Sequence, residues 1–256
     1  MRDWKDELKF YEEFLVRRRG WVSRWPQRVV FLYSGGLDST ITIARLLEEK
    51  EIEIFPLFIN RGQRNLKYER ESAYFFEDLF RKKHRNRFHK LREINVNVPP
   101  KEIKKGLRGY ATKFGYPLRN TILQMVGVQY ALSLLENFVG DFEKITSVFC
   151  AQIYDDPFPH STLISLRATT IAVCQNLEEW SWQITSPNID KYLNLRPMGK
   201  IEMIKWALKQ QLPIEKTRSC YEENSFHCGI CLSCRRRRTA FREAGLPDNT
   251  KYLKLV

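Results

Sequence analysis

Apolar and polar positions along the chain alternate between helical and strand periods. Trp4, Leu8, Tyr11 and Leu15 recur every three to four residues, which predicts an amphipathic helix over 3–19. Gly20 and Pro26 end it, and the helix is expected to cap a domain edge or meet a partner. Residues 28–33 form a β-branched and aromatic run, the mark of a buried strand. A glycine-rich loop follows, then a helix over Thr40–Lys50 with Ile43, Leu46 and Leu47 inward. A second strand is predicted over 52–59, where Pro56 implies a bulge or a strand edge. Then come a helix over Tyr68–Lys83 and a strand over His89–Val96. Pro99–Pro117 is basic and weakly periodic, and is expected to be a mobile flap. Further helices are expected at Arg119–Asn137, Leu163–Trp180 and Met198–Gln210, and strands at Ile145–Ala151 and Gln183–Thr185. Strands alternating with helices predict an α/β fold: a doubly wound, parallel, Rossmann-like sheet. The expected organisation is a helical extension (1–27), an α/β domain (28–212) and a cysteine-bearing module (213–256).

Composition adds limits. Apolar residues make up 43% and charged residues 29% of 256, the balance of a globular protein that stays in water. Apolar runs such as Val29–Tyr33 are far too short to span a bilayer. Met1–Glu7 is charged with no apolar stretch behind it, so no signal peptide and a cytoplasmic location are expected. A net charge of +13 suits polyanionic partners, such as nucleotides or a protein or nucleic-acid acceptor, but also suits a plainly solvated basic face. Basic clusters lie at Arg17–Arg19, Arg81–Arg92 and Arg235–Arg238, and none forms a named nucleic-acid motif.

The chemistry concentrates in two places. The first is Ser34-Gly35-Gly36-Leu37-Asp38-Ser39-Thr40, between a strand and a helix. Gly35 and Gly36 let backbone approach an anion, and the helix N-terminus adds amide donors. Ser34, Ser39 and Thr40 add hydroxyls. Asp38 repels phosphate, so its natural role is to hold Mg²⁺. A Ser- and Asp-capped tight turn is the bland alternative. The Gly-Lys-Ser/Thr ending of a Walker loop and the third glycine of a dinucleotide fingerprint are both missing.

The second is Cys220, Cys228, Cys231 and Cys234. Four thiolates with two Cys-x-x-Cys turns predict a closed, structural Zn²⁺ site, with an iron–sulfur cluster as the alternative. His227 reads as a bystander to a complete cysteine set. Cys150 and Cys174 have apolar neighbours and read as core residues.

The glycine loop resembles the signature of the N-type ATP pyrophosphatases, a HUP-type superfamily that adenylates substrates with ATP. Within it, the cysteine spacing resembles the 7-cyano-7-deazaguanine synthase family. So do Gly62-Gln63-Arg64, Arg119-Asn120, and Lys200 with Glu202, over about residues 28–252. The resemblance implies a ligase that converts 7-carboxy-7-deazaguanine and ammonia to the nitrile, using ATP, Mg²⁺ and Zn²⁺, and working as a homodimer. It places Asp38, Arg119 and Lys200 in catalysis, and Gln63 and Arg64 with the loop around the nucleotide. Asn120, Asp155, Asp156, Phe158 and His160 fall to the substrate. One stretch departs from the pattern: His160-Ser161-Thr162 stands where the family carries Asp-Cys-Arg. A neutral His cannot accept two N–H donors as a carboxylate does. Three alternatives therefore stay open. One is a relative that joins a deazaguanine acid to an amine on a protein or nucleic acid, in defence or DNA modification. The others are a tRNA thiolase-like enzyme and a non-catalytic binding module.

Overall fold

A computed structural model describes residues 4–134, 144–156 and 158–254, with the side chains of 112–114 excepted. Five parallel strands form one sheet in the order β3-β2-β1-β4-β5. They are β1 (Arg28–Leu32), β2 (Glu53–Asn60), β3 (Arg92–Asn95), β4 (Ser147–Phe149) and β5 (Gln183–Thr185). The helices are α1 (Trp4–Arg19), α2 (Leu37–Glu49), α3 (Leu66–Lys83), α4 (Lys101–Lys104), α5 (Arg108–Phe114), α6 (Arg119–Leu134), α7 (Leu163–Asn176), α8 (Lys200–Lys209) and α9 (Leu232–Ala244). None of them is long and apolar enough to cross a membrane.

The period-two alternation of the strands sorts the core into two layers. Val29, Phe31, Ile54 and Phe58 face α2, α3, α8 and α9. Val30, Phe55, Leu57 and Ile59 face α6 and α7. This is the doubly wound arrangement expected. Strand order reverses between β1 and β4, and the crevice at such a reversal, beyond the carboxyl ends of the strands, is where α/β sheets bind ligands.

Several boundaries move, each for a local reason. Pro56 lies inside β2, opposite Phe31, and not at an edge. Ile54 and Asn60 turn their backbone groups toward β3, so by alternation the missing Pro56 donor points there too. On that side the ladder is interrupted between the Phe88 bridge and Arg92, so no donor is needed. The expected flap over Pro99–Pro117 contains the two short helices α4 and α5. Helix α7 stops at Asn176, because Glu178 adopts a left-handed φ of 51°. The expected end of α6 at Asn137 lies outside the described residues. Helix α2 starts at Leu37, three residues early, with Gly36 as N-cap.

The N-terminal helix packs on α7 and caps the β5 side of the domain. Leu15 is its buried anchor, while Trp4 and Phe10 stay exposed. A buried ion pair reinforces the junction. Arg167 on α7 donates through both terminal nitrogens to Asp190, each at 2.9 Å, and also reaches Ser23 (2.9 Å) and Glu12 (3.4 Å). The pair is shut off from water, with side chains 1% and 0% exposed. At the other end, α9 sends Ala240 and Phe241 into the same core layer as α2 and α8, so the cysteine-bearing segment shares the core of the domain.

Asp190→Ala would strand the Arg167 charge in the interior. The expected cost is about 3–5 kcal/mol of stability, read by urea unfolding of the variant against the parent. A loss below ~1 kcal/mol would show that Ser23 and Glu12 suffice.

Candidate functional site

The loop after β1 has its shape because Gly35 occupies a left-handed conformation, φ 69°. A β-carbon there would sit 2.6 Å from the Glu69 carbonyl oxygen and 2.8 Å from the Ala73 nitrogen, so no other residue fits. The Gly35 carbonyl accepts the Ser72 hydroxyl (2.7 Å) and the Arg218 amide (2.9 Å). Ser34 and Ser39 hydroxyls meet at 3.0 Å, and the Gly36 amide donates to the Ser34 hydroxyl. No side chain caps the α2 N-terminus. Gly36, Leu37, Asp38 and Ser39 line a cleft of about 330 Å³, within the ~300–1,000 Å³ typical of small-molecule sites. Their amides and the helix dipole favour an anion there. Thr40 does not join them. Because α2 begins at Leu37, Thr40 is fully buried, with its hydroxyl 3.2 Å from that of Tyr33.

Asp38 meets Lys200 across the cleft. The ammonium donates to both carboxylate oxygens, at 2.7 and 2.8 Å. Lys200 is the first residue of α8, and that helix start is tightly held. Glu202 accepts the Gly199 amide and the Tyr154 hydroxyl, both at 3.0 Å, while Asp155 accepts the Lys200 amide at 3.2 Å. Asp155 therefore supports α8 and does not line the cleft. A divalent ion on Asp38 would have to share the carboxylate with the ammonium or displace it.

The rest of the cleft is polar. Arg119 and Asn120 enter from the start of α6, and Gln124 from its next turn. Burial, and then the nearby positive charge of Arg61, hold the Arg119 guanidinium below its ordinary value. Phe158 and His160 stack with ring centroids 5.3 Å apart. Burial, and then Arg119, push the His160 imidazole down, which favours its neutral form. Asp156 lines the cleft but is paired with Arg236 at 3.2 Å. Cys150 lies on the cleft floor, and burial pushes its thiol up to about 12, so it stays protonated.

Gln63 and Arg64 stand apart from the loop. Gln63 donates to Glu69 and accepts the Arg61 amide, so it braces Arg61. Arg64 is largely exposed and faces an adjoining pocket of about 270 Å³ with Lys104 and Arg108. The two hollows share Arg61, Arg119 and Tyr221. Sequence reasoning passed over Arg61, Glu69, Gln124, Gln152, Tyr221 and Arg236. Glu69 is a buried carboxylate that binds Arg61 through two bonds (3.1 and 3.2 Å) and Asn65 at 3.0 Å. Nothing in a helix-start Glu announces that. Arg236 was hidden in a run of four arginines that diverge: Arg236 turns to the cleft, while Arg237 is buried against Thr217 and Ile214.

Cys220, Cys228, Cys231 and Cys234 bring their sulfurs within 4.8 Å of one another, and Cys228 and Cys234 are 3.9 Å apart. A tetrahedral zinc with bonds of about 2.3 Å sets its sulfurs about 3.8 Å apart. An iron–sulfur cluster places several atoms between its thiolates and needs them farther apart. Backbone amides of Cys228, Glu222, Cys231 and Cys234 donate to the sulfurs, as suits thiolate ligands. The four sulfurs thus fit a single metal ion such as zinc. His227 is not among them: its Nε2 accepts the Ser219 amide at 3.0 Å. Asn65 also donates to the Cys220 carbonyl at 2.7 Å, tying the cluster to the start of α3.

Two variants probe this construction. Gly35→Ala must move the loop off α3 and should lower Mg·ATP affinity at least about 10-fold, as read by calorimetry, a fair allowance for anion contacts displaced by an ångström. Cys228→Ser should release about one metal ion per chain by elemental analysis and lower the melting temperature. An unchanged metal content would remove the cluster from metal binding.

Comparison with known proteins agrees with this arrangement. A family model described as queuosine biosynthesis protein QueC matches residues 28–245. A protein of Thermoplasma volcanium named 7-cyano-7-deazaguanine synthase is 30% identical over 238 residues, covering 90% of this chain and 92% of its own. One of the same name from Acetivibrio thermocellus is 31% identical over 242 residues, covering 89% of this chain and 99% of its own. The four clustered cysteines and the glycine loop both lie inside the matched span, and the chain belongs to the QueC family of queuosine biosynthesis proteins.

Proposed function

We propose that this protein is an ATP-dependent ligase that adenylates the carboxylate of 7-carboxy-7-deazaguanine and, with ammonia, carries it to 7-cyano-7-deazaguanine. The observation that carries this reading is the Asp38–Lys200 pair facing the uncapped α2 N-terminus, at the strand-order reversal of a QueC-family chain.

A carboxylate oxygen attacks the α-phosphorus of ATP, and the bond to pyrophosphate breaks. The acyl adenylate then loses AMP to ammonia, which gives up a proton and leaves the amide. The amide oxygen attacks a second ATP in the same way. Loss of the remaining N–H protons and departure of AMP leave the nitrile. The chain's task is to align the reactants and offset charge. The loop amides and the Ser34 and Ser39 hydroxyls hold the pyrophosphate. Lys200 and Arg119 offset the charge that develops at phosphorus, and Arg61, braced by Glu69 and Gln63, adds to that field. Mg²⁺, when bound, would sit on Asp38 and screen the phosphate oxygens. Zn²⁺ would occupy the four cysteines as a structural ion. The protonated Cys150 thiol speaks against persulfide chemistry of the thiolase kind.

A second reading has one observation behind it. The adjoining basic pocket with Arg64, Lys104 and Arg108 opens beside the cleft and offers a docking place for a large anionic acceptor. On this reading the acyl adenylate passes to an amine on a protein or nucleic acid.

Incubation with ATP, Mg²⁺ and 7-carboxy-7-deazaguanine, with and without ammonia, separates the two. Nitrile with AMP and pyrophosphate supports the synthase. AMP without nitrile in the presence of ammonia supports transfer to another amine, and no AMP at all overturns both. Asp38→Asn should lower the rate of AMP formation by about 10²–10³-fold while the melting temperature holds.

A further inference from the structure

Arg61 faces both the cleft and the hollow beside it, and its side chain is held from behind. Glu69, buried in the first turn of α3, takes four donors. Its Oε1 accepts Arg61 Nη2 at 3.2 Å and Asn65 Nδ2 at 3.0 Å. Its Oε2 accepts Arg61 Nη1 at 3.1 Å and Gln63 Nε2 at 2.7 Å. The lone-pair sites of the carboxylate are thus filled, and turning it toward one donor takes it from another.

Asn65 carries the chain of contacts farther. It is the N-cap residue of α3, where an Asn side chain ordinarily accepts an amide of the first turn. Here it makes no capping bond. Its Nδ2 donates instead to Glu69 and, at 2.7 Å, to the carbonyl of Cys220. Both partners only accept, so the orientation of the amide is forced and both of its hydrogens are spent. Cys220 lies apart in sequence from Cys228, Cys231 and Cys234, and a shared metal ion would pin its sulfur to theirs. An unbroken path of hydrogen bonds therefore runs from the Cys220 backbone through Asn65 and Glu69 to a cation on the cleft wall.

We propose that Asn65 and Glu69 are positioning residues that couple the cysteine cluster to Arg61, so that a metal ion on the four thiolates and Mg·ATP in the cleft each tighten the binding of the other. A metal ion fixes Cys220, and through Asn65 it keeps Glu69 in the orientation that presents the Arg61 guanidinium. An anion that engages Arg61 holds the same chain of contacts from its other end. Linkage makes the effect reciprocal: the factor by which the metal raises nucleotide affinity is the factor by which the nucleotide raises metal affinity. The inference rests on the reading under Proposed function only in taking Mg·ATP as a ligand of the cleft, and the identity of the acid does not enter. A rival route exists. The Arg218 amide on the Gly35 carbonyl also joins the cysteine-bearing segment to the loop.

The test measures zinc affinity and needs no turnover. The protein competes for Zn²⁺ against a chelator of known affinity, with and without saturating Mg·ATP, and a protein-free titration corrects for zinc held by ATP itself. Mg·ATP should tighten zinc binding to the wild-type protein at least about 5-fold, the lower end of ordinary coupling between sites. Asn65→Leu keeps the side-chain volume, removes both donors and should bring that ratio toward one. A merely structural Asn65 would weaken zinc binding equally with and without nucleotide and leave the ratio as it was. The double variant Arg61→Met, Glu69→Leu removes both partners of the ion pair, so no buried carboxylate is stranded, and it should also bring the ratio toward one. It decides the matter should Asn65→Leu fail to fold. A wild-type ratio near one overturns the coupling without recourse to any variant. A ratio that either variant retains overturns the Asn65–Glu69 route and leaves the Arg218 contact as the carrier. Mg·ATP that binds with a ratio of one sinks this inference alone, whereas no binding of Mg·ATP sinks it together with the adenylation reading.

Discussion

The carbonyl of Gly35 holds the site together. It takes one donor from α3 and one from the segment leading into the cysteines. The glycine-rich loop is thus clamped from both sides, by a side-chain hydroxyl and by a backbone amide. Its left-handed turn brings the backbone against α3 too closely for any side chain, and the loop can lie there only as glycine. The shape of an anion-binding loop usually depends on its own residues. Here it depends as much on Ser72 of α3 and on Arg218 from the segment after α8.

Charge is the second constraint. A net +13 would make a crowded cleft repel itself unless each cation had a counterweight. Glu69 anchors Arg61, Asp38 takes Lys200, and Asp156 takes Arg236. Among the described residues Arg119 has no such salt bridge. Burial and Arg61 both work against its charge, which makes it a good partner for an incoming anion.

Much of this was legible in the sequence. The period-two runs at Val29–Phe31 and Ile54–Ile59 fixed the two core layers, because alternation alone decides which face each residue occupies. The cysteine spacing carried its own geometry, since two short turns leave little choice of where four sulfurs meet. Long-range partners were not legible. The destination of Arg236, 80 positions from Asp156, depends on how α9 packs on α8. Thr40 looked like a loop hydroxyl until the helix started three residues early and turned it inward. Asp155 and Asp156 are neighbours in sequence with similar chemistry, yet one supports a helix start and the other lines the cleft. Gln124 and Gln152 carry no signal at all, because nothing in the sequence places these two amides on the cleft.

Helix α9 begins at the cysteine cluster, and Arg236, Arg237 and Arg238 on it have three separate duties. Arg236 holds the loop at Asp156, Arg237 ties down the segment after α8, and Arg238 reaches back to the Gly229 carbonyl in the cysteine turn. One turn of helix thus joins cluster, core and cleft. Over evolutionary time such a turn has little freedom to drift. A residue inserted there would rotate all three side chains by about 100° at once, so a lineage that lengthened this helix would have to rebuild its cysteine turn and the loop at Asp156 together.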